Sequence, residues 1–429
     1  MRAALEAQVE QIIRTGLDLD ADLTTVMLSI TDGEGWSDAA SMTEASRVGA
    51  DRGNSSMVDA PSNATPEQNK AWWDSLSSAE RTWLIAHEPE TIGNRKGLPY
   101  QARHQANVNR LAIERERLAD LLEQKQKEFK AAQSDEYEST GAKPGQLQSE
   151  IASIQDKLNA IDVLEEQGAQ GNLIMSLDTS QERVRAAVGI GDIDNADYLT
   201  VHTPGMNAAV EDNMNRYVDE FAETTEYAER MLDGTGETAG TVVWMDYLPP
   251  MLDASEGVEV LSDDRAEAGA KRLAAELEGI QASRVDNPPE RLTATGHSYG
   301  SLTTTLALRQ TDAADAFVSQ GSPGWGDDGG TGLKVPSGEL YNMRTHDDWV
   351  AGSGWHGDSP EYYDGVRQLG THDATAAGGE PLSGTEGHSG YTIADREKAT
   401  SEYNTAAVMV GRDDLLIDKL PPREHTDTR

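Results

Sequence analysis

The pentapeptide Gly296-His297-Ser298-Tyr299-Gly300 has the types and spacing that turn a serine into a nucleophile. The stretch before it, Arg291-Leu292-Thr293-Ala294-Thr295, reads as a strand, and Leu302 to Arg309 reads as a helix. Between them the chain must turn so sharply that the serine backbone is strained. The residues two before and two after must then be small, and Gly296 and Gly300 meet that need. A serine at such a bend stands at a helix N-terminus, where free N–H groups and the helix dipole favour a developing oxyanion. Acyl transfer through a serine ester is the chemistry this arrangement serves.

A serine hydroxyl attacks only when a base removes its proton, and an acid must hold that base. In strand–turn–helix sites of this kind the partners follow in the order serine, acid, histidine, on loops after later strands. Past the expected strand Leu340-Tyr341-Asn342-Met343 comes Arg344-Thr345-His346-Asp347-Asp348-Trp349-Val350. Asp348 is assigned as the acid, with Asp347 as its alternative. Four histidines follow, namely His356, His372, His388 and His425. His388 lies in the glycine-flanked loop Gly387-His388-Ser389-Gly390-Tyr391 and is assigned as the base. The oxyanion hole needs two backbone donors. They are assigned to the N–H of Tyr299 and to that of Met206, in the loop His202-Thr203-Pro204-Gly205-Met206 after an earlier strand. His297 and Gly205 are assigned to substrate binding. The histidine spacings match no familiar zinc motif, so neither a metal nor a cofactor is expected.

These residues need a frame. Strands are expected at 173–177, 183–188, 198–201, 241–245, 291–295, 316–319 and 340–343, with helices at 208–232, 262–282, 302–309 and 394–410. Alternation at this spacing implies an α/β fold, a mostly parallel sheet with helices on both faces. Upstream the pattern is helical. Thr65-Pro66-Glu67 opens one helix and Ser77-Ser78-Ala79-Glu80 a second, each with capping chemistry. Residues 103–137 form a long charged helix and 138–146 a breaker. Leu147, Ile151, Ile154, Leu158 and Ile161 then recur at steps of 4, 3, 4 and 3, a heptad seam. A coiled-coil helical hairpin is expected there, as a lid, an arm or a contact for self-association. The expected division is 1–60 as an N-terminal helical segment and linker, 61–170 as a helical region with the hairpin, 171–415 as the α/β catalytic domain, and 416–429 as a charged tail.

The chain has 429 residues and a net charge of −39, from 75 acids and 36 bases. That balance argues against nucleic acid, whose binding needs a basic face. Anionic membrane surfaces would be repelled as well. There is no cysteine, which removes disulfides, thiol nucleophiles and cysteine-bound zinc. No apolar run is long enough for a membrane span, and the first residues do not read as a signal peptide. A cytoplasmic location, or export without a cleaved signal, is the expectation.

Several stretches together resemble the actinobacterial α/β-hydrolase family formerly catalogued as DUF1023. They are Pro204-Gly205-Met206, Gly296 to Ser301, Gly321-Ser322-Pro323-Gly324, Asp348-Trp349-Val350, His356-Gly357 with Asp358, and His388-Ser389-Gly390-Tyr391, with upstream matches at 71–81 and 92–99. Where that family carries Asp-Pro-Val, this chain has Asp348-Trp349-Val350. The resemblance spans roughly 61–412. It implies the α/β-hydrolase fold and a cofactor-free esterase- or lipase-like serine hydrolase acting on a small or lipid-like acyl substrate. Two readings compete with ester hydrolysis: an acyltransferase or peptidase using the same triad, and an effector or interaction protein that keeps the fold.

Overall fold

A computed structural model of the chain describes residues 60–133, 143–232, 234–252, 261–391 and 398–420. The expected helices within 1–30, the linker up to residue 59, the hairpin tip and His425 lie outside the described residues.

The helical region opens with α1 (Pro66–Ser75) and α2 (Ser78–His87). Each begins with a reciprocal capping box, Thr65 with Gln68 and Ser77 with Glu80, which satisfies N–H groups that a helix start leaves free. A short α3 (Pro89–Gly93) leads to α4 (Tyr100–Ala132), and α5 (Pro144–Ala169) follows. Arg115 on α4 meets Asp162 and Glu165 on α5, whereas Lys125 meets Glu150, so the two helices run antiparallel. Ile154 and Ile161 from the seam are buried in one apolar cluster with Leu164, Leu111 and Leu118. That cluster continues into β1 (Leu173–Asp178), β2 (Arg185–Ile190), the helix α6 (Val210–Met231) and β4 (Ala239–Met245), so the hairpin base shares its core with the sheet.

Between β2 and α6 lies β3 (Tyr198–Thr203), and after β4 come α7 (Asp264–Ser283), β5 (Arg291–His297), α8 (Tyr299–Leu308), β6 (Ala316–Gln320) and β7 (Leu340–Met343). An eighth strand, β8 (Val366–Leu369), closes the sheet, a small ribbon pairs β9 (Ala374–Thr375) with β10 (Pro381–Leu382), and α9 (Thr400–Met409) ends the fold. The sheet order is β1-β2-β4-β3-β5-β6-β7-β8. The pairings from β4 through β8 are parallel, and β2 runs antiparallel to both β1 and β4. A mostly parallel sheet flanked by helices, with a helical region before it, is therefore the architecture.

Two differences from the expected elements have physical causes. Helix α8 starts at Tyr299 rather than Leu302, because Tyr-Gly-Ser carries no apolar period while its backbone is already helical. Strand β8 has no counterpart among the expected strands, because Val366-Arg367-Gln368 is only half-buried at the sheet edge and shows no alternation.

The helical region is tied to the α/β core by buried charge. Arg103 on α4 pairs with Glu276 on α7, both fully buried, and Lys96 bonds the same carboxylate. The Tyr100 hydroxyl donates to Glu276 Oε1 at 3.0 Å. Burial would raise the Glu276 carboxyl, but Arg103 and Lys96 beside it hold it far below its ordinary range.

Candidate active site

Open parallel sheets bind their ligands beyond the carboxyl ends of the strands, and there the ends of β3, β5 and β7 meet. Ser298 follows β5 with φ 54° and ψ −130°, a conformation that a non-glycine residue adopts only under constraint. The constraint is visible at its neighbours. A Cβ on Gly296 would lie 2.6 Å from Ser301 Cα, and one on Gly300 would lie 2.1 Å from the Thr203 carbonyl oxygen. Ser301 fixes the bend from inside, its hydroxyl and its N–H both donating to the Ser298 carbonyl at 2.6 and 2.9 Å.

His388 Nε2 stands 2.7 Å from Ser298 Oγ, and His388 Nδ1 stands 2.9 Å from each oxygen of Asp348. The structure thus brings together the serine, the histidine and the acid singled out in the sequence. Asp348 is 1% exposed. Its Oδ1 accepts the Ala351 N–H at 2.9 Å and its Oδ2 the Tyr391 hydroxyl at 2.8 Å. Burial would raise this carboxyl, but its hydrogen bonds, that from His388 foremost, hold it below its ordinary value. Asp347 takes another place: its carboxylate accepts the Gly387 N–H at 3.0 Å and so fixes the loop that carries His388.

Tyr299 occupies the first turn of α8, where N–H groups have no partner within the helix. The Pro204-Gly205-Met206 loop lies directly against the serine. A Cβ on Gly205 would come within 2.7 Å of Ser298 Cβ and 3.2 Å of Oγ, so only glycine lets this backbone pass so close. Met206 is half-buried against the core that holds Tyr299.

His297, assigned to substrate binding, is buried, and its Nε2 lies 2.7 Å from the His388 carbonyl oxygen. A carbonyl can only accept, so Nε2 carries the proton. Burial, and then the neighbouring His388, push this imidazole down to about 4, which keeps it neutral near pH 7. Its place is beneath the base, where it holds the backbone of the loop. Among the other histidines, His356 Nδ1 bonds Asp263 at 2.6 Å, with its ring edge against Tyr299. The backbone carbonyl of His372 accepts the Thr400 hydroxyl. Neither bonds Ser298. Two residues of the site had no role assigned from the sequence, Tyr391 and Gly321. Gly321, at φ 57°, leaves room for the acid, since a Cβ there would lie 2.9 Å from Asp348 Oδ2 and 2.7 Å from the Tyr391 ring.

Beyond the acid the surface is aromatic. Trp349 is 68% exposed, and Trp355 packs edge-on against it with ring centroids 5.7 Å apart.

An α/β-hydrolase family model matches residues 179–354, the strands and loops that carry Ser298 and Asp348. An uncharacterized protein of Mycobacterium tuberculosis strain H37Rv is 32% identical over 225 residues, covering 50% of this chain and 82% of that protein, and one of Mycobacterium bovis gives the same figures. A second M. tuberculosis protein, also uncharacterized, is 27% identical over 285 residues, covering 62% of this chain and 41% of its own length. The chain belongs to an actinobacterial α/β-hydrolase family. Among solved structures, a dienelactone hydrolase from Anabaena variabilis aligns at 16% identity and a TM-score of 0.30, over 46% of this chain and 83% of that one. A Trichoderma reesei cutinase bound to a phosphonate inhibitor aligns at 13% identity and a TM-score of 0.29, over 54% and 87%.

Proposed function

We propose that the protein is a serine hydrolase that cleaves carboxylic esters through an acyl-enzyme, with Ser298, His388 and Asp348 as its triad. The observation that carries this reading is the unbroken chain from Ser298 Oγ to His388 Nε2 at 2.7 Å and from His388 Nδ1 to Asp348 at 2.9 Å. Ser298 Oγ attacks the ester carbonyl carbon while its proton passes to His388 Nε2. Asp348 holds the imidazole in the tautomer with its proton on Nδ1 and stabilises the imidazolium that forms. The carbonyl oxygen becomes an oxyanion facing the N–H groups of Tyr299 and Met206. When the intermediate collapses, the bond to the alcohol breaks and the alcohol oxygen takes the proton from His388. Water then repeats the sequence on the acyl-serine, giving its proton to His388, and the carboxylic acid leaves as Ser298 recovers that proton.

The exposed Trp349 and Trp355 pair favours esters with an apolar acyl part. A panel of p-nitrophenyl esters of rising chain length tests the reading. The wild type should hydrolyse at least one member, and Ser298→Ala should lose about 10³-fold or more with its melting temperature retained. Equal rates for the two proteins contradict it.

A further inference from the structure

Tyr391 does more than fill space behind the acid. Its hydroxyl donates to Asp348 Oδ2 at 2.8 Å and accepts the Thr345 N–H at 2.9 Å. Its ring is fully buried. It stands three residues after His388 on the same loop, so that loop grips the acid twice, once through the imidazole and once through the phenol. The Ala351 N–H on Oδ1 balances the Tyr391 hydroxyl on Oδ2, and both oxygens remain 2.9 Å from His388 Nδ1. The glycine at 321 opens the space that this pair of side chains needs. A residue that only packed there would not require the hydroxyl.

We propose that Tyr391 is a positioning residue that fixes the rotamer of Asp348 and, by donating to it, sets the pH at which His388 becomes free to act as base. The proposal rests on the hydrolase reading given above. A carboxylate that shares its charge with several donors pulls less strongly on an imidazolium. Removing one donor concentrates charge on the oxygens, so the imidazole keeps its proton to higher pH. Burial, and then the Asp348 charge, push the phenol far above its ordinary range, so it stays protonated and donates.

Among the described residues, few groups face the imidazole. Asp348, itself bonded by Tyr391, meets it from the acid side and Ser298 from the elbow. His297 lies beneath it with ring centroids 5.0 Å apart, and behind His297 are Arg216 and the buried His202. Asp347 holds the neighbouring Gly387 N–H. His297 and His202 are both held neutral near pH 7 by burial. Between pH 5 and 8, Asp348 is then, among the described residues, the charge that bonds the base, and Tyr391 is the side chain that tempers it.

The experiment follows the rate of fluorophosphonate labelling at Ser298 from pH 5 to 9 in the full chain. Two variants are compared with the wild type: Tyr391→Phe, and a protein carrying 3-fluorotyrosine at 391, a more acidic phenol of nearly equal size. Tyr391→Phe should label about ten-fold more slowly, the loss of one hydrogen bond to a charged group. Its acid limb should move up by about half a pH unit. The fluorinated side chain, a stronger donor, should move that limb down. Acid limbs that coincide with the wild type in both proteins overturn the proposal, even if Tyr391→Phe is slower. If Tyr391→Phe does not fold, the fluorinated protein decides alone, and an unmoved limb overturns the proposal. A wild type in which Ser298 takes no label overturns the hydrolase reading itself, a result distinct from labelling with unmoved limbs.

Discussion

Two buried carboxylates in this molecule have nearly the same neighbours and opposite characters. Glu276 accepts a tyrosine hydroxyl from Tyr100 and faces the guanidinium of Arg103 and the ammonium of Lys96. Asp348 accepts a tyrosine hydroxyl from Tyr391 and faces the imidazole of His388. Both acids lie out of water. Glu276 and Arg103 sit on helices, and the arginine never gives up its charge. His388 and Asp348 sit on loops at the strand ends; an imidazole can take up and release a proton, and this one keeps a fifth of its side chain exposed and touches a hydroxyl. A buried acid with a tyrosine donor is therefore a rivet or a reactive unit according to whether its basic partner can exchange a proton and reach substrate.

Substitutions that neutralise each acid without changing its shape sharpen this contrast. Asp348→Asn should lower ester hydrolysis by about 10⁴-fold, because the amide favours the wrong imidazole tautomer, while thermal stability changes little. Circular dichroism melts and initial rates on one preparation check both halves, and a full-rate Asp348→Asn protein breaks the comparison. Glu276→Gln should do the reverse. It leaves Arg103 fully buried without its bonded carboxylate and should cost about 3–5 kcal/mol in urea unfolding, while the folded fraction still labels at the wild-type rate. A Glu276→Gln protein as stable as the wild type would show that the pair does not fasten the helical region to the sheet.

How far could this contrast be read from the chain alone? The strand–turn–helix at 291–308 was legible because glycine spacing and strand pattern are local signals. So was the order of serine, acid and histidine. Asp347 and Asp348 could not be separated by pattern, because the choice depends on which carboxylate the loop after β7 turns inward. Tyr391 sat in a recognised motif with no assigned role, since nothing local reveals that its hydroxyl reaches across 43 residues to Asp348. His297 read as a substrate contact from its place beside the serine, yet at the end of β5 its ring turns under the base. The Arg103–Glu276 pair joins residues 173 apart in two ordinary charged helices, and only the packed fold selects them from the 75 acids of the chain.

The pH dependence of stability sharpens the same comparison in a smaller way. Folded His297 takes a proton only near pH 4, against 6.5 for a free histidine. The unfolded chain therefore binds more protons in that window, and stability must fall as pH drops from 6.5 toward 4, by up to about 3 kcal/mol from this group. Glu402, which burial raises to about 6, works in the opposite sense between pH 6 and its ordinary value of 4.5. The difference between wild type and His297→Gln isolates the histidine. Urea midpoints at pH 7 and pH 5 should converge more closely in the variant, and equal slopes in the two proteins would contradict this account of the buried imidazole.

The central claim is that the Ser298 hydroxyl is a nucleophile made reactive by His388. A fluorophosphonate probe on the folded full-length protein, followed by intact mass and peptide mapping, tests it most directly. The account predicts one added phosphonyl group, on Ser298, and none on heat-unfolded protein or on His388→Ala. Folded protein that stays unlabelled, or that carries its label on another serine, would contradict it.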